Sequence, residues 1–470
     1  MHRVLVGASR ACLLAGALLA AQACSLGPTY RRPDVPMPTA WRGSPVEASA
    51  DWPRADWWRG FGSSQLNDYI SQARAANDDI AAAMARVREA DAQARIAGAA
   101  LLPTLDATAS ATRQRQVSPS GAPPTTYDLY TPQLAASYQV DFWGKNRATH
   151  QAAVETARAS RYDRDTITLT VLTSVALTYF EALELHDRLS VAQNNLANAQ
   201  HILQALQFEQ DVGTVTALDV AQQATTVATI NASIPPLLQG SQQALDALAI
   251  LIAQPPEKVE VADGSLTQIT PPPVGAGVPS ALLARRPDVA ESEAQLKSAN
   301  ANIAAARAAF FPNVNLTASG GFASLALGTL LSPRSRVFAL TAGATQAIFE
   351  GGALRGQYQY TQARYAELLS DYHKTVLTAL GNVEDSLAAV QQTAEQQLRQ
   401  QDAADKAQRA FDFSQMQMQA GTTNILTVLN TETALFTAQD DLAQVRFQHL
   451  QALVDLYQAL GGGWQQTEAQ

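Results

Sequence analysis

The 470-residue chain is long enough for two to four ordinary domains. Its composition, however, is 47% hydrophobic with much of that alanine, 7% aromatic and 16% charged, which suits long, closely packed helices better than bulky globular cores. A formal charge of −9 argues against a nucleic-acid binder, which is usually basic.

Residues 1–23 read as an export signal. Arg3 and Arg10 supply the positive region and residues 11–21 the apolar one. Eleven residues are too few for a spanning helix, which needs about 20. The cleavage region Ala21, Gln22, Ala23, Cys24 has two readings. It is a bacterial lipobox, which would leave Cys24 lipidated (palmitate) at the new N-terminus, or an A-x-A site for the ordinary signal peptidase. The sequence after Cys24 favours the first, although Ala21 and Gln22 depart from the usual lipobox. Ser25 does not favour retention in the inner membrane. The other cysteine, Cys12, lies within the signal, so no internal disulfide is expected.

Residues 24–62 carry five prolines between Pro28 and Pro45 and the tryptophans Trp41, Trp52, Trp57 and Trp58. The prolines forbid helix. The segment reads as an extended strap pinned by its tryptophans. Helical spacing begins near Ser64 and runs to about Ala100, where Pro103 stops it. The period then changes to two. Leu105, Ala107, Ala109 and Ala111 alternate with Asp106, Thr108, Ser110 and Thr112, and after a polar loop at 114–128, Leu134, Ala136, Tyr138 and Val140 alternate with polar neighbours. This is a hairpin at about 104–141 with one apolar and one polar face. Residues 145–210 lack proline and glycine, giving one helix of roughly 100 Å at about 1.5 Å per residue. Its 3–4 spacing implies coiled-coil packing. Gly213 breaks it, and a return helix runs to about residue 253, with a kink expected at Pro235 and Pro236.

The same series then recurs. Residues 97–110, AGAALLPTLDATAS, are echoed by ARAAFFPNVNLTAS at 306–319, and DVGTVTALDV at 211–220 by QAGTTNILTV at 419–428. Such self-similarity means one unit duplicated in tandem. The expected layout is repeat 1 at 63–254, a Pro/Gly-rich linker at 255–281, repeat 2 at 282–462 and a tail at 463–470. Repeat 2 holds a hairpin at about 313–348 and a helical hairpin at about 352–460. Four strands with one lipid-like face cannot span a membrane alone, because open edges leave backbone groups unsatisfied. Three copies would supply twelve strands and could close a barrel. The fold class expected is an α+β membrane protein: a tandem repeat forming a trimeric twelve-stranded outer-membrane β-barrel, continuous with a long periplasmic α-helical barrel; the number three does not follow from the pattern alone.

Four segments carry a family resemblance: CSLGPTYRRPDVPMPTAW at 24–41, WWRGFGSSQLNDYISQARAANDDIAAA at 57–83, VDFWGKNRA at 140–148 and, most specific, LLARRPDVAESEAQLKSANANIAAARAAFFPNVNLTASGG at 282–321. The chain resembles outer-membrane factors of the TolC superfamily, in the NodT-like lipoprotein branch that serves RND multidrug efflux pumps. The resemblance covers nearly the whole chain after the signal. It implies a homotrimer in the bacterial outer membrane that extends into the periplasm. It also implies a passive exit duct for drugs or toxic small molecules, partnered by a periplasmic adaptor and an inner-membrane RND transporter.

The resemblance places the helix turns at the periplasmic tip, so the gate candidates are Asp211, Gly213, Asp219, Gly421, Thr423 and Asn424. The family often has an acidic residue where Thr423 stands, which weakens the expectation of a carboxylate ring there. Asp211 and Asp219 read equally as solvated caps flanking a turn. Phe142, Trp143 and Phe349, where strands meet helices, are a membrane-interface girdle or core packing. The run Arg285, Arg286, Pro287, Asp288 reads as a helix start. The six histidines form no HxxxH or HExxH pattern, and Walker A and GxSxG motifs are absent. The expectation is no enzyme, no metal and no cofactor. The alternatives are a channel for one-step (type I) protein secretion and a periplasmic coiled-coil adaptor.

Overall fold

The computed structural model describes residues 27–42, 52–117, 123–261, 264–272, 274–275 and 277–466. The signal and Cys24 lie outside the described residues. Contacts divide the chain into two compact units, each drawing on both copies of the repeat.

The first unit comprises Met1–Asp34, Arg86–Ser160 and Glu291–Tyr372. It contains all four strands, β1 (Thr104–Gln116), β2 (Thr125–Val140), β3 (Asn313–Phe322) and β4 (Arg336–Thr345). They form an antiparallel meander in the order β1-β2-β3-β4. The first hairpin reaches further than the alternation alone suggests. Pairing continues to Gln116↔Thr125, into what the sequence reads as loop. Alternation of apolar residues fades there, but cross-strand pairs replace it: Arg113 faces Asp128, and the Gln114 amide meets the Tyr127 hydroxyl. The strap is also held in this unit. Glu293, whose side chain is 6% exposed, accepts from Arg32 Nε at 3.0 Å and pairs with Lys297 at 3.0 Å. Burial pushes its carboxyl upward, but the Arg32 and Lys297 hydrogen bonds outweigh that and hold it below the ordinary value.

The second unit comprises Val35–Ala85, Arg161–Ala290 and His373–Gln470. Its core gathers Trp57, Trp58, Phe61 and Leu66 with Val175, Phe180, Leu248, Val454 and Tyr457. Trp57 stacks on Tyr457 with centroids 5.0 Å apart. As the sequence suggests, tryptophans pin the strap: Trp41 Nε1 donates to the Gly277 carbonyl and Trp52 Nε1 to that of Leu460, each at 3.0 Å.

The helices keep the duplication residue for residue. Helix α1 is Ser64–Ala76, α2 is Asp78–Ala99, α3 is Lys145–Asp211 and α4 is Ala217–Leu251. In repeat 2, α5 (Pro287–Ala308) matches α2 at 22 residues, α6 (Ala353–Gln419) matches α3 at 67, and α7 (Ile425–Ala459) matches α4 at 35. Both ends of α6 and of α7 lie 208 positions after those of α3 and α4.

One expectation needs correction. The single helix expected from Ser64 to about Ala100 is broken at Asn77, where the backbone turns extended (ψ 130°). The Asn77 amide donates to the Leu251 carbonyl at 2.9 Å, and its Oδ1 accepts from the amides of Asp79 and Ile80. That caps α2. Pro235 and Pro236, where a kink is expected, lie inside α4, which is continuous through both. Helix α3 also contains a stretch long and apolar enough to cross a membrane by length and composition, half of it buried. Val171, Leu172, Val175, Ala176 and Leu183 of α3 belong to the core of this unit, which is why the helix is so apolar there.

Candidate functional site

The sheet is two-faced. Residues paired directly across an antiparallel sheet point to the same side, so the register reads out each face in rows. One face carries Leu105–Ala136–Ala318–Leu340, then Ala107–Leu134–Gly320–Phe338, then Tyr138–Leu316–Ala342, then Val140–Val314–Ala344. The other carries Thr104–Ser137–Thr317–Thr341, Asp106–Ala135–Ser319–Ala339 and Gln139–Asn315–Gly343. The apolar side chains are not buried within the chain: Leu105 is 71% exposed, Leu340 78% and Phe338 85%. A soluble protein would cover such a band.

The limits of the band also fit a membrane wall. Following the apolar face away from the helices, the first polar residue is Arg113 on β1, Asp128 on β2, Ser324 beyond β3 and Arg336 on β4. In register, the boundary slips by four residues across three strand spacings. Four residues are about 13 Å and three spacings about 14 Å, so a level boundary requires strands tilted by roughly 43°. Transmembrane barrels have tilts of about 35–45°. Along β2 the band from Val140 to Tyr130 is about 33 Å of strand, or about 24 Å of height at that tilt. That matches the apolar band of about 25 Å in known barrels.

At the strand-to-helix corners the three predicted aromatics part company. Trp143 is satisfied internally: its Nε1 donates to the Pro312 carbonyl at 2.9 Å and its ring stacks on Phe311 at 4.8 Å. Phe142 is 41% exposed and Phe349 89%.

The helix turns are built alike. Gly213 and Gly421 have φ of +83° and +70°, in the left-handed region that favours glycine. At each turn the threonine directly after the glycine reaches back: Thr214 Oγ1 donates to the Glu209 carbonyl and Thr422 Oγ1 to that of Gln417. Asp219 is part of a capping box. Thr216 caps α4, and the Asp219 carboxylate accepts from the Thr216 amide at 2.8 Å and hydroxyl at 2.7 Å. Those hydrogen bonds hold its carboxyl below the ordinary range. In repeat 2 the same two positions are Asn424 and Thr427, with Asn424 Oδ1 accepting from the Thr427 amide and hydroxyl, both at 3.2 Å. The contrast of Asp219 with Thr427 therefore reflects two ways of capping equivalent helices. Asp211 is exposed, with no hydrogen bond to its carboxylate among the described residues; Thr423 is half-buried.

Sequence reasoning missed a buried polar pair behind these turns. Gln223 of α4 and Glu432 of α7 are 0% and 1% exposed. The Gln223 amide donates to the Ala199 carbonyl at 2.9 Å and to Glu432 Oε2 at 3.3 Å, while Oε1 of each side chain has no hydrogen-bond partner among the described residues. Burial raises the Glu432 carboxyl. The RRPD run is a helix start, as expected, and also a clasp. Arg286 holds Asp288 through two hydrogen bonds and the Ala459 carbonyl at 2.8 Å. Among the described residues no group of His, Cys, Asp and Glu could hold a metal ion.

The family model for outer membrane efflux proteins matches residues 69–254 and 278–462. The chain belongs to that family. It is 41% identical to the pyoverdine export outer membrane protein OpmQ of Pseudomonas aeruginosa, over 97% of this chain and 96% of that protein. It is 31% identical to the toluene efflux pump outer membrane protein TtgF of Pseudomonas putida, over 96% of each. Among solved structures it is similar to the open state of the Neisseria gonorrhoeae MtrE outer membrane channel, with a TM-score of 0.85, 29% identity and coverage of 94% of this chain and 98% of that one. This efflux protein is thus an outer-membrane channel, and the two-faced sheet is its contribution to the membrane wall.

Proposed function

We propose that this chain works as a homotrimer, the passive exit duct of a tripartite system. Its cargo is small organic molecules handed over by an inner-membrane RND transporter through a periplasmic adaptor. The observation that carries this reading is the open, two-faced sheet. One chain leaves the outer edges of β1 and β4 unpaired within its own sheet, which a lipid environment does not tolerate. Three copies pair those edges and close twelve strands into a barrel of even number, with the threonine, serine and glutamine rows lining the lumen. Such a duct needs no catalytic residue. Pyoverdine and toluene belong to the relatives' names; only the class they share, small organic compounds, is carried over here. The turns at Gly213 and Gly421 are the end we assign to adaptor contact and gating. Asp211 is the carboxylate placed to form a ring in the trimer and favour cations.

Planar-bilayer conductance of the purified, cross-linked protein tests the duct. A trimer that conducts, with Asp211→Ala lowering its preference for cations, is expected. A preparation that conducts in neither form, or cross-links only to dimers, would remove the reading. We assign a lipid anchor to Cys24, since two or more acyl chains suffice for stable anchoring. Radiolabelled palmitate should enter the wild type and not Cys24→Ser; label surviving the substitution refutes the site.

A further inference from the structure

The charges at the far end of the sheet lie on one side. Strand register puts Arg113, Arg115 and Arg336 on the apolar face, in line with Leu105 on β1 and with Phe338 and Leu340 on β4. Arg334 stands two residues before Arg336, in the short turn entering β4. The opposite, polar face at this level carries Thr112, Gln114 and Gln116 with Leu129, Tyr127 and Thr125, all uncharged. Asp128 is the only acid between residues 109 and 131 or between 322 and 338. It pairs with Arg113 at 3.7 Å, whose side chain is still 77% exposed. Arg115, Arg334 and Arg336 are exposed and have no ion pair among the described residues. Leu325, Leu327 and Leu331 in the adjoining β3–β4 connection are 63%, 67% and 76% exposed.

Arginines serving cargo would point into the lumen. Arg113 and Arg336 point outward, one side chain beyond the apolar band: Arg113 follows Ala111, and Arg336 is the next on its face beyond Phe338. The roughly 43° tilt that levels the band brings both to one height. This is the hairpin end of the sheet, opposite the helices, and so faces the outside of the cell. A guanidinium there meets the headgroups of the outer leaflet, and its planar fork suits phosphate oxygens. We propose that Arg113, Arg115, Arg334 and Arg336 form a binding site for the phosphate groups of an acylated, phosphorylated glycolipid of the outer leaflet, with the exposed leucines against its acyl chains. The surface is continuous with the lipid-facing band and complementary in charge to such a lipid. In a trimer the site occurs three times around the rim.

The test uses the full-length protein in nanodiscs of phosphatidylcholine, titrated with lipid A, with dephosphorylated lipid A and with phosphatidylglycerol, bound lipid being counted by native mass spectrometry. Lipid A should bind at least about tenfold more tightly than its dephosphorylated form, as expected when charge-assisted hydrogen bonds are lost. Binding should weaken with salt. Arg113→Gln/Arg336→Gln should abolish the preference, while Arg113→Lys/Arg336→Lys keeps the charge and part of the affinity. Equal binding of the phosphorylated and dephosphorylated forms by the wild type overturns the proposal, and does not depend on any variant folding. So does an unchanged preference in a glutamine variant that still migrates as the native oligomer. Equal affinity for phosphatidylglycerol would reduce the rim to a general anion surface and overturn the glycolipid assignment.

Discussion

Glu432 is the residue where burial and charge conflict most clearly. It is 1% exposed, and among the described residues the one side-chain hydrogen bond to its carboxylate comes from the Gln223 amide, so no cation there offsets its desolvation. The groups that could ionise on neighbouring stretches of the helices, His201 and Glu209 on α3 and Asp405, Arg409 and Asp412 on α6, do not contribute to its shift. A carboxyl raised above its ordinary 4.5 favours the fold in its neutral form. Its contribution to stability is intact below about 4.5 and falls as pH rises through the folded value. Glu432→Gln should therefore flatten the fall in thermal stability above pH 4.5, with little change at pH 4. A parallel pH profile in wild type and variant would show that the buried carboxyl titrates without consequence. Position 224 in repeat 1 is the equivalent and is an alanine, so the buried acid is a feature of the second helical hairpin alone.

Turns and strands show how far local sequence carries an element. Thr216 caps α4 by a capping box and Asn424 caps α7 by its side-chain oxygen. Thr216→Ala should lower the local stability of the first turn by about 1 kcal/mol, as loss of a cap usually does. Asn424→Ala should do the same at the second turn. Hydrogen exchange of the first amides of each helix reads both effects, and unchanged protection at either turn would contradict the assigned cap. The first glycine turn was legible because a helical pattern free of glycine meets Gly213; the second was legible from the echo of 211–220 at 419–428, since α6 itself carries Gly356 and Gly381. Asp219 reads from sequence as a cap flanking the turn or as a gate; the capping box it forms with Thr216 emerged only from the structure. The strand faces were legible because alternation survives wherever one side meets lipid. The break at Asn77 was not, because the carbonyl its amide satisfies, that of Leu251, is supplied from far along the chain. The outer ends of β1 and β2 were missed because polar pairs such as Arg113 with Asp128 replace alternation there. Glu432 reads from sequence as an ordinary helical carboxylate; only the packing of α4 against α7 shows that it is enclosed.

At the scale of the whole molecule, the duplication has a physical reason. Each copy supplies one strand hairpin and one long helical hairpin of matching lengths, and the two strand hairpins join through β2 and β3 into one sheet. That sheet has an apolar band of membrane height and two open edges, so it is complete only when further copies close it. The central claim is that one face meets lipid and the other water. Single cysteines at Ala107, Thr108, Ala318 and Ser319, in intact outer membranes, test it with a membrane-impermeant thiol reagent, the unsubstituted protein giving the background from Cys24. The account predicts labelling at positions 108 and 319 and protection at 107 and 318. Equal labelling at neighbouring positions, or the reverse pattern, would contradict it.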